Sequence, residues 1–122
     1  MLKELLAVAI GGGLGASGRD LAGVLARNLV DGNFPWSTFL VNVTGCFFIG
    51  LAAGKTGDTE TTLRLFLVVG ILGGFTTFSA FGYETLRLLQ EGNPAGAVFN
   101  VAAQILLGLA AVWSGLLIAK SI

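Results

Sequence analysis

The chain has 122 residues, of which 54% are hydrophobic and 11% charged, and its formal net charge at pH 7 is zero. Soluble domains carry about 25% charged residues, so this composition, with a mean hydropathy of +0.84, excludes an ordinary water-soluble globule. The lack of histidine excludes acid–base catalysis and metal clusters that use its imidazole ring. No pair of acidic residues has a spacing that suggests catalysis, so we expect neither enzyme activity nor a nucleic-acid partner.

Four long, weakly charged runs predict four membrane helices in a single all-α domain that covers residues 1–122. About 20 predominantly apolar residues span the hydrocarbon core of a bilayer, and each run is long enough to do so. The predicted helices cover about residues 2–29, 34–54, 63–90 and 94–120. We therefore expect an integral membrane protein that crosses the lipid bilayer several times.

The first helix is rich in glycine, and Gly11 and Gly15 have the four-residue spacing that lets membrane helices approach closely. The same spacing recurs at Gly50 and Gly54 and at Gly70 and Gly74. It fits packing within one chain or between two chains, and the small size of the chain favours an oligomer. Residues 13–18 also fit the dinucleotide-binding fingerprint, but no predicted strand precedes them, which excludes that interpretation.

Neutral polar residues form stripes on the second and fourth helices. Thr38 and Asn42 are four residues apart and share one face of the second helix, and Asn100 and Gln104 do the same on the fourth. The single cysteine, Cys46, lies in apolar surroundings and is predicted to be a packing residue. Neutral hydrogen-bond donors can solvate an anion without trapping it, as permeation requires. The alternative is that these side chains only join the helices to one another.

The third helix contains the most informative stretch, residues 73–81, with the sequence Gly-Gly-Phe-Thr-Thr-Phe-Ser-Ala-Phe. Adjacent glycines and threonines are unfavourable in mid-helix, because glycine loses backbone entropy and threonine competes for backbone hydrogen bonds. We therefore expect this helix to be broken near its middle, with main-chain carbonyls freed for another partner. Broken membrane helices are common places for ion sites. Together with the polar stripes, the break favours an ion conduit.

Positive charges are almost evenly divided between the two membrane faces if the predicted helices alternate in direction. One face receives Lys3, Lys55, Arg64 and Lys120, and the other receives Arg19, Arg27 and Arg87. The positive-inside rule needs a clear imbalance to fix the orientation of a chain. We therefore expect insertion in both orientations, which would allow an antiparallel dimer. The alternative is that a subtler signal fixes one orientation.

These residues resemble the signature of the Fluc fluoride channels. The similarity is carried by residues 73–81 with Glu84 one turn later, by the glycine-rich run that ends at Arg19, and by Val-Asn-Val-Thr-Gly at 41–45. It extends over essentially the whole chain. The resemblance implies a fluoride-selective ion channel that exports fluoride passively and protects the cell from fluoride toxicity. It also implies a dual-topology, antiparallel homodimer with two parallel pores in the inner (plasma) membrane.

The same resemblance implies roles for individual residues. A structural Na⁺ would lie between the two subunits, held by the backbone carbonyls of Gly73 and Thr76. The ring edges of Phe78 and Phe81 would face the anion path, and Asn42 would donate its amide near them. The other residues expected along the fluoride pathway are Thr38, Thr77, Ser79, Glu84, Asn100, Gln104 and, near a pore vestibule, Arg19.

The sequence departs from the family pattern on the fourth helix. Asn100 and Gln104 stand where the family often has Tyr and Ser hydroxyls, although their amides can still donate hydrogen bonds.

A small proton-coupled multidrug exporter is the alternative function, since such proteins also have four helices. An exporter of that kind needs a carboxylate inside the membrane. The first helix offers only Glu4, close to its start, and Asp20, beside Arg19 near its far end. A purely structural membrane subunit would explain the glycines but neither the polar stripes nor the predicted break.

Overall fold

A computed structural model of the chain describes residues 1–59 and 61–122. Within those residues every regular element is helical, so the predicted all-α fold is confirmed. In chain order the elements are α1 (Leu2–Leu29), α2 (Trp36–Thr56), α3 (Thr62–Arg64), a π-helical segment (Leu65–Leu72), α4 (Gly73–Phe75), α5 (Phe78–Gln90) and α6 (Pro94–Ser121). The third predicted helix therefore consists of several consecutive pieces.

Three helical segments in the described part of the chain are long and apolar enough to cross a membrane. They are Trp36–Thr56, Thr62–Gln90 and Pro94–Ser121. The helix α1 is also 28 residues long, but it carries Arg19 and Asp20 along its length as well as charges near both ends. A membrane-spanning role for α1 stays a prediction.

Local chemistry explains where the long helices begin and end. Pro35 precedes the first turn of α2, which begins at Trp36, two residues later than the expected start. Gly92 has a φ of +78°, a conformation that favours glycine and ends α5. One residue later, the Asn93 side chain accepts a hydrogen bond from the Gly96 N–H at 2.9 Å. This cap and Pro94 in the first turn start α6.

The long helices pack in two main pairs, α2 against α6 and α1 against the π-helical segment. Glycine makes both contacts close. A Cβ atom at Gly115 would lie 2.7 Å from the backbone nitrogen of Leu51 on α2, and one at Gly11 would lie 2.5 Å from the carbonyl oxygen of Phe66. Backbone atoms cannot move aside as a flexible side chain can, so these glycines set the distance between the helices.

Large apolar side chains lie mostly on the outside of the chain. Leu14, Leu109 and Trp113 are each more than half exposed. The buried apolar core is small by comparison and includes Val41 and Leu88. Such an exterior can be covered by a lipid bilayer or by a second protein surface, whereas its exposure to water would be unfavourable.

The close contact between α2 and α6 predicts the effect of adding one methyl group. Gly115→Ala should destabilise the protein by about 1–3 kcal/mol, the usual effect of overpacking a tight contact. Gly13→Ala is the matched control, because a Cβ atom there meets nothing within 4 Å in this chain. Thermal unfolding in detergent micelles measures both changes. A Gly115→Ala variant that unfolds at the parent temperature would show that the two helices are not in tight contact.

Candidate functional site

The candidate site is centred on two residues that lie outside the helices, Thr76 and Thr77. Thr76 has φ −82° and ψ 158°, and Thr77 has φ −148° and ψ 113°, so both have extended backbone between α4 and α5. The Thr77 hydroxyl oxygen accepts a hydrogen bond from the Ala80 N–H at 3.2 Å and caps α5. The Thr76 hydroxyl donates to the carbonyl oxygen of Leu72 at 3.0 Å. Threonine thus supplies the local hydrogen bonds that replace helical ones.

Two backbone carbonyls at this point lack the N–H donors that a continuous helix would give them. In a continuous α-helix the Thr77 N–H would donate to the Gly73 carbonyl, and the Ala80 N–H to the Thr76 carbonyl. Instead, the Thr77 N–H donates to Asn42 Oδ1 at 2.8 Å, and the Ala80 N–H donates to the Thr77 hydroxyl. The carbonyls of Gly73 and Thr76 therefore lose the helical donors they would otherwise have.

Asn42 on α2 connects this segment to the rest of the chain. Its Nδ2 donates to the carbonyl oxygen of Thr77 at 3.0 Å and to Gln104 Oε1 on α6 at 2.8 Å. Its Oδ1 accepts from the Thr77 N–H. One amide side chain therefore holds both backbone polar groups of Thr77.

The amide contacts continue along α6 toward α5. Gln104 Nε2 donates to Asn100 Oδ1 at 2.9 Å, and Asn100 Nδ2 donates to the Thr85 hydroxyl at 3.0 Å. The Thr85 hydroxyl in turn donates to the carbonyl oxygen of Phe81 at 2.7 Å. Asn100 is fully buried, with 0% of its surface exposed, so its polar groups depend on these protein partners.

A cavity of about 270 Å³ lies beside the two threonines. Its lining residues are Asn42, Cys46, Ile49, Thr76, Thr77, Phe78, Phe81, Gln104 and Ile105. The rings of Phe78 and Phe81 are 5.5 Å apart between centroids and inclined at 46°. Phe78 is 83% exposed, so the cavity is open on its side. The cavity presents amides, hydroxyls and aromatic rings, with no charged side chain in its lining.

A second cleft, of about 240 Å³, includes Glu84 in its lining. The Thr38 hydroxyl donates to Glu84 Oε1 at 2.9 Å. Arg27 and Arg87 also line this cleft, together with Glu91. Arg87 Nε is 3.2 Å from Glu91 Oε1, a partly exposed ion pair one helical turn apart. The lining of this cleft therefore includes charged side chains, whereas the lining of the cavity beside Thr76 and Thr77 has none.

Comparison with known proteins identifies the family. Residues 6–116 match the protein family described as CrcB-like protein, Camphor Resistance (CrcB). The chain belongs to the CrcB family. The resemblance seen in the sequence is thereby confirmed.

Relatives of this chain are similar to it over nearly their whole length. The fluoride-specific ion channel FluC of Flavobacterium psychrophilum is 40% identical over 124 residues, which cover 99% of this chain and 100% of the relative. The protein of the same name from Geobacter sulfurreducens is 43% identical, with 99% and 100% covered. A third, from Methylobacillus flagellatus, is 42% identical, with 98% of this chain and 96% of the relative covered.

Most of the predicted pathway residues of this CrcB chain come together in one of the two places. Asn42, Thr77, Phe78, Phe81 and Gln104 line the cavity. Glu84 lines the second cleft and accepts a hydrogen bond from the Thr38 hydroxyl, which lines neither space. The Ser79 hydroxyl lies 3.2 Å from that of Thr77. Asn100 is bonded to Gln104 but lines neither space, and Arg19 on α1 also lines neither.

Some site residues were missed by reasoning from the sequence. Cys46, predicted to be a packing residue, and Ile49 line the cavity. They follow Asn42 by four and seven residues, so helical spacing alone places them on its face of α2. Thr85 follows Phe81 by four residues and is bonded to Asn100. A search of the same face of α5 would have drawn attention to it.

Proposed function

We propose that this chain is a fluoride-selective ion channel that exports fluoride passively and protects the cell from fluoride toxicity. The observation that carries the proposal is the uncharged cavity at Thr76 and Thr77, lined by amides, hydroxyls and two aromatic rings. The relatives named fluoride-specific ion channel match the chain nearly end to end, which supports the same function. Ion channels are not an enzyme class, and the relatives' names give no support to the proton-coupled exporter.

The chemistry of the cavity suits a small anion in transit. An aromatic ring has a positive edge, so Phe78 and Phe81 can contact fluoride weakly without a formal charge. Amide and hydroxyl groups add hydrogen-bond donors, such as those of Gln104 and Thr77. A lysine or arginine in the same place would hold the anion tightly, whereas permeation needs sites that release it.

The cavity and the charged cleft together suggest a continuous path. Thr38 lies four residues before Asn42 on α2, and Glu84 lies three residues after Phe81 on α5. Residues at these spacings are neighbours on one helix face. We infer that fluoride passes between the cleft at Glu84 and the cavity at Phe81, and that Arg19 lies near a vestibule of the assembled channel.

The proposed assembly is an antiparallel homodimer of dual topology in the inner membrane, with two parallel pores. The open side of the cavity supports it, because the exposed Phe78 ring is available to be covered by a second copy. The many exposed apolar side chains provide surface for both lipid and a partner. The third membrane segment is then broken near its middle at Thr76 and Thr77, close to the dimer centre.

A structural Na⁺ at the dimer centre is the proposed cofactor. The carbonyls of Gly73 and Thr76 fit this role, because their usual helical donors are directed to Asn42 and to the Thr77 hydroxyl instead. Hard cations prefer oxygen ligands of this kind. Bound there, Na⁺ would supply a fixed positive charge that offsets part of the anion's desolvation.

Fluoride release from liposomes that contain only the purified protein tests the function. With an ionophore carrying the balancing K⁺, we expect rapid fluoride efflux and far slower chloride efflux. Because the Na⁺ is structural, the direction of a Na⁺ gradient should not change the fluoride rate. A correctly assembled dimer that releases no fluoride would overturn the channel, and a rate that follows the Na⁺ gradient would indicate cotransport instead.

The even distribution of basic residues predicts insertion in both orientations. A tag at the C-terminus should be accessible from both sides of the membrane in intact cells and permeabilised controls. Two or three added lysines in one set of loops should bias the orientation and lower the activity, and co-expression of oppositely biased variants should restore it. A tag found on one side only would exclude the antiparallel dimer.

The two phenylalanine rings should act through their edges as well as their volume. Phe78→Ile or Phe81→Ile keeps much of the apolar volume but removes the ring, so fluoride flux should fall roughly fivefold to tenfold, matching the approximately 1 kcal/mol of an aromatic edge contact. Phe→Met should be milder, since its sulfur is polarizable. Phe48→Ile, on α2 and outside the cavity lining, is the control.

Gel filtration should show a dimer for each of these variants. Parent-like flux in both Phe78→Ile and Phe81→Ile would assign the rings to packing only.

A further inference from the structure

The two oxygens of the Glu84 carboxylate differ in their hydrogen bonding. Oε1 accepts a hydrogen bond from the Thr38 hydroxyl at 2.9 Å, whereas Oε2 is buried and accepts none from the residues that the structure describes. A buried carboxylate oxygen without a donor is unfavourable, because neither water nor protein then compensates its charge. A further hydrogen-bond donor for Glu84 is therefore expected close by.

Arg87 is well placed to supply that donor. It follows Glu84 by three residues on α5, so the two side chains are neighbours on one helix face, and both line the second cleft. In the described structure Arg87 is directed to Glu91 instead, with its Nε 3.2 Å from Oε1 of Glu91. Arg87 thus lies between two carboxylates, with one a turn before it and the other a turn after it.

Arg27 on α1 also contributes a positive charge to the lining of this cleft. Its Nη1 lies 3.3 Å from the position that a Cβ atom at Gly23 would take, and Ser37 Oγ lies 3.0 Å from the same position. The Arg27 guanidinium group is therefore packed at the contact between α1 and α2. Because it has the same charge in the same cleft, Arg27 serves as a matched control for Arg87.

The two carboxylates gain unequally from an arginine. The side chains of Arg87 and Glu91 are 54% and 43% exposed, and an exposed pair of this kind changes an equilibrium constant by only about twofold. A hydrogen bond to an otherwise unpaired buried charge changes it by about tenfold or more. Exposed side chains change rotamer within nanoseconds. Arg87 can therefore leave Glu91 rapidly and at little cost, and it gains more at Glu84.

We propose that Arg87 exchanges between Glu91 and Glu84, and that it is a positioning residue for fluoride transport because it neutralises the Glu84 carboxylate. The proposal rests on the proposed function, in which fluoride passes the cleft at Glu84. A free carboxylate would repel the anion there, and the repulsion is strong where water is scarce. With Arg87 on Oε2 and Thr38 on Oε1, both oxygens are bound and the repulsion is reduced. Glu91 competes for Arg87 and limits how often this arrangement forms.

The first test follows Arg87 without measuring transport. The chain has four arginines, Arg19, Arg27, Arg64 and Arg87. Their Nε–H signals can be followed by ¹⁵N NMR, and Arg87→Lys assigns the signal of Arg87. If Arg87 exchanges rapidly, its signal is an average over two positions, so Glu91→Gln and Glu84→Gln should shift it in opposite directions along one line. The Arg64 signal should stay unchanged. An Arg87 signal that Glu84→Gln does not move overturns the exchange.

The second test is a double-mutant cycle on fluoride efflux from liposomes. Arg87→Gln should lower the flux about tenfold, the effect of losing a hydrogen bond to a charged group, and Arg87→Lys should lose less because it keeps the charge. In a Glu84→Gln background no carboxylate charge remains to be neutralised. Arg87→Gln should then change the flux by less than about twofold, the scale of an exposed ion pair.

Glu91→Gln gives a second cycle that leaves Glu84 in place. It should raise the flux by up to about twofold, because Arg87 is then available to Glu84 all the time. In an Arg87→Gln background the same substitution should have no effect. An increase that persists there would overturn the competition between the two carboxylates.

Arg27→Gln removes the same charge from the same cleft, and its effect should be equal with and without Glu84→Gln. Gel filtration should show a dimer for every variant. Equal losses from Arg87→Gln in both backgrounds would mean that Arg87 does not act through Glu84 and would overturn the proposal. Coupling of the same size between Arg27 and Glu84 would do so as well. A parent that releases no fluoride would count against the proposed function, and the NMR shifts would still decide whether Arg87 exchanges.

Discussion

The pairing between the Asn42 amide and the backbone of Thr77 is the interaction on which the site depends. A backbone segment that leaves a helix inside a membrane must find new partners for its N–H and carbonyl groups. Asn42 supplies both at once, with distances of 2.8 and 3.0 Å. Because the Thr77 N–H donates to Asn42, the Gly73 carbonyl loses its helical donor. The Thr77 hydroxyl accepts from the Ala80 N–H, and Phe78 begins a new helix that is capped by this bond. A single side chain on α2 thus supports the geometry of residues on two other helices.

Close helix packing brings that side chain within reach. Asn42 on α2 and Gln104 on α6 are 62 positions apart in the sequence, and they meet because α2 and α6 lie against each other along Gly50 and Gly115. Side chains at these two glycines would clash with the backbone of the facing helix and strain the packing that holds the amide contact. The small residues and the polar residues therefore have linked roles, since the first set the distance at which the second can interact.

Local features of the site could be predicted from the sequence, whereas its pairings could not. Glycine and threonine at residues 73–77 have local backbone preferences that act without tertiary contacts, and Thr76 and Thr77 lie outside the helices as those preferences favour. The polar faces at Asn42 and Gln104 follow from helical spacing. Their contact with each other, and the bond from Asn100 to Thr85, depend on helix packing between distant parts of the chain. The individual roles of these residues in transport stay predictions, because they concern ions and a second subunit.

The π-helical segment Leu65–Leu72 limits which sequence changes the chain can accept during evolution. An α-helix turns by about 100° per residue, whereas a π-helical turn accommodates one residue more than an α-helical turn. The segment therefore rotates everything that follows it, including Phe78 and Phe81, relative to the face that packs on α1. Loss of one residue here would leave the apolar character of the segment intact, but the rings would keep their direction only if π-helical turns became α-helical. Point substitutions among the large apolar residues of the segment should therefore be accepted more readily than insertions or deletions. Gly70 is the exception, because a Cβ atom there would lie 2.9 Å from Gly11 Cα on α1.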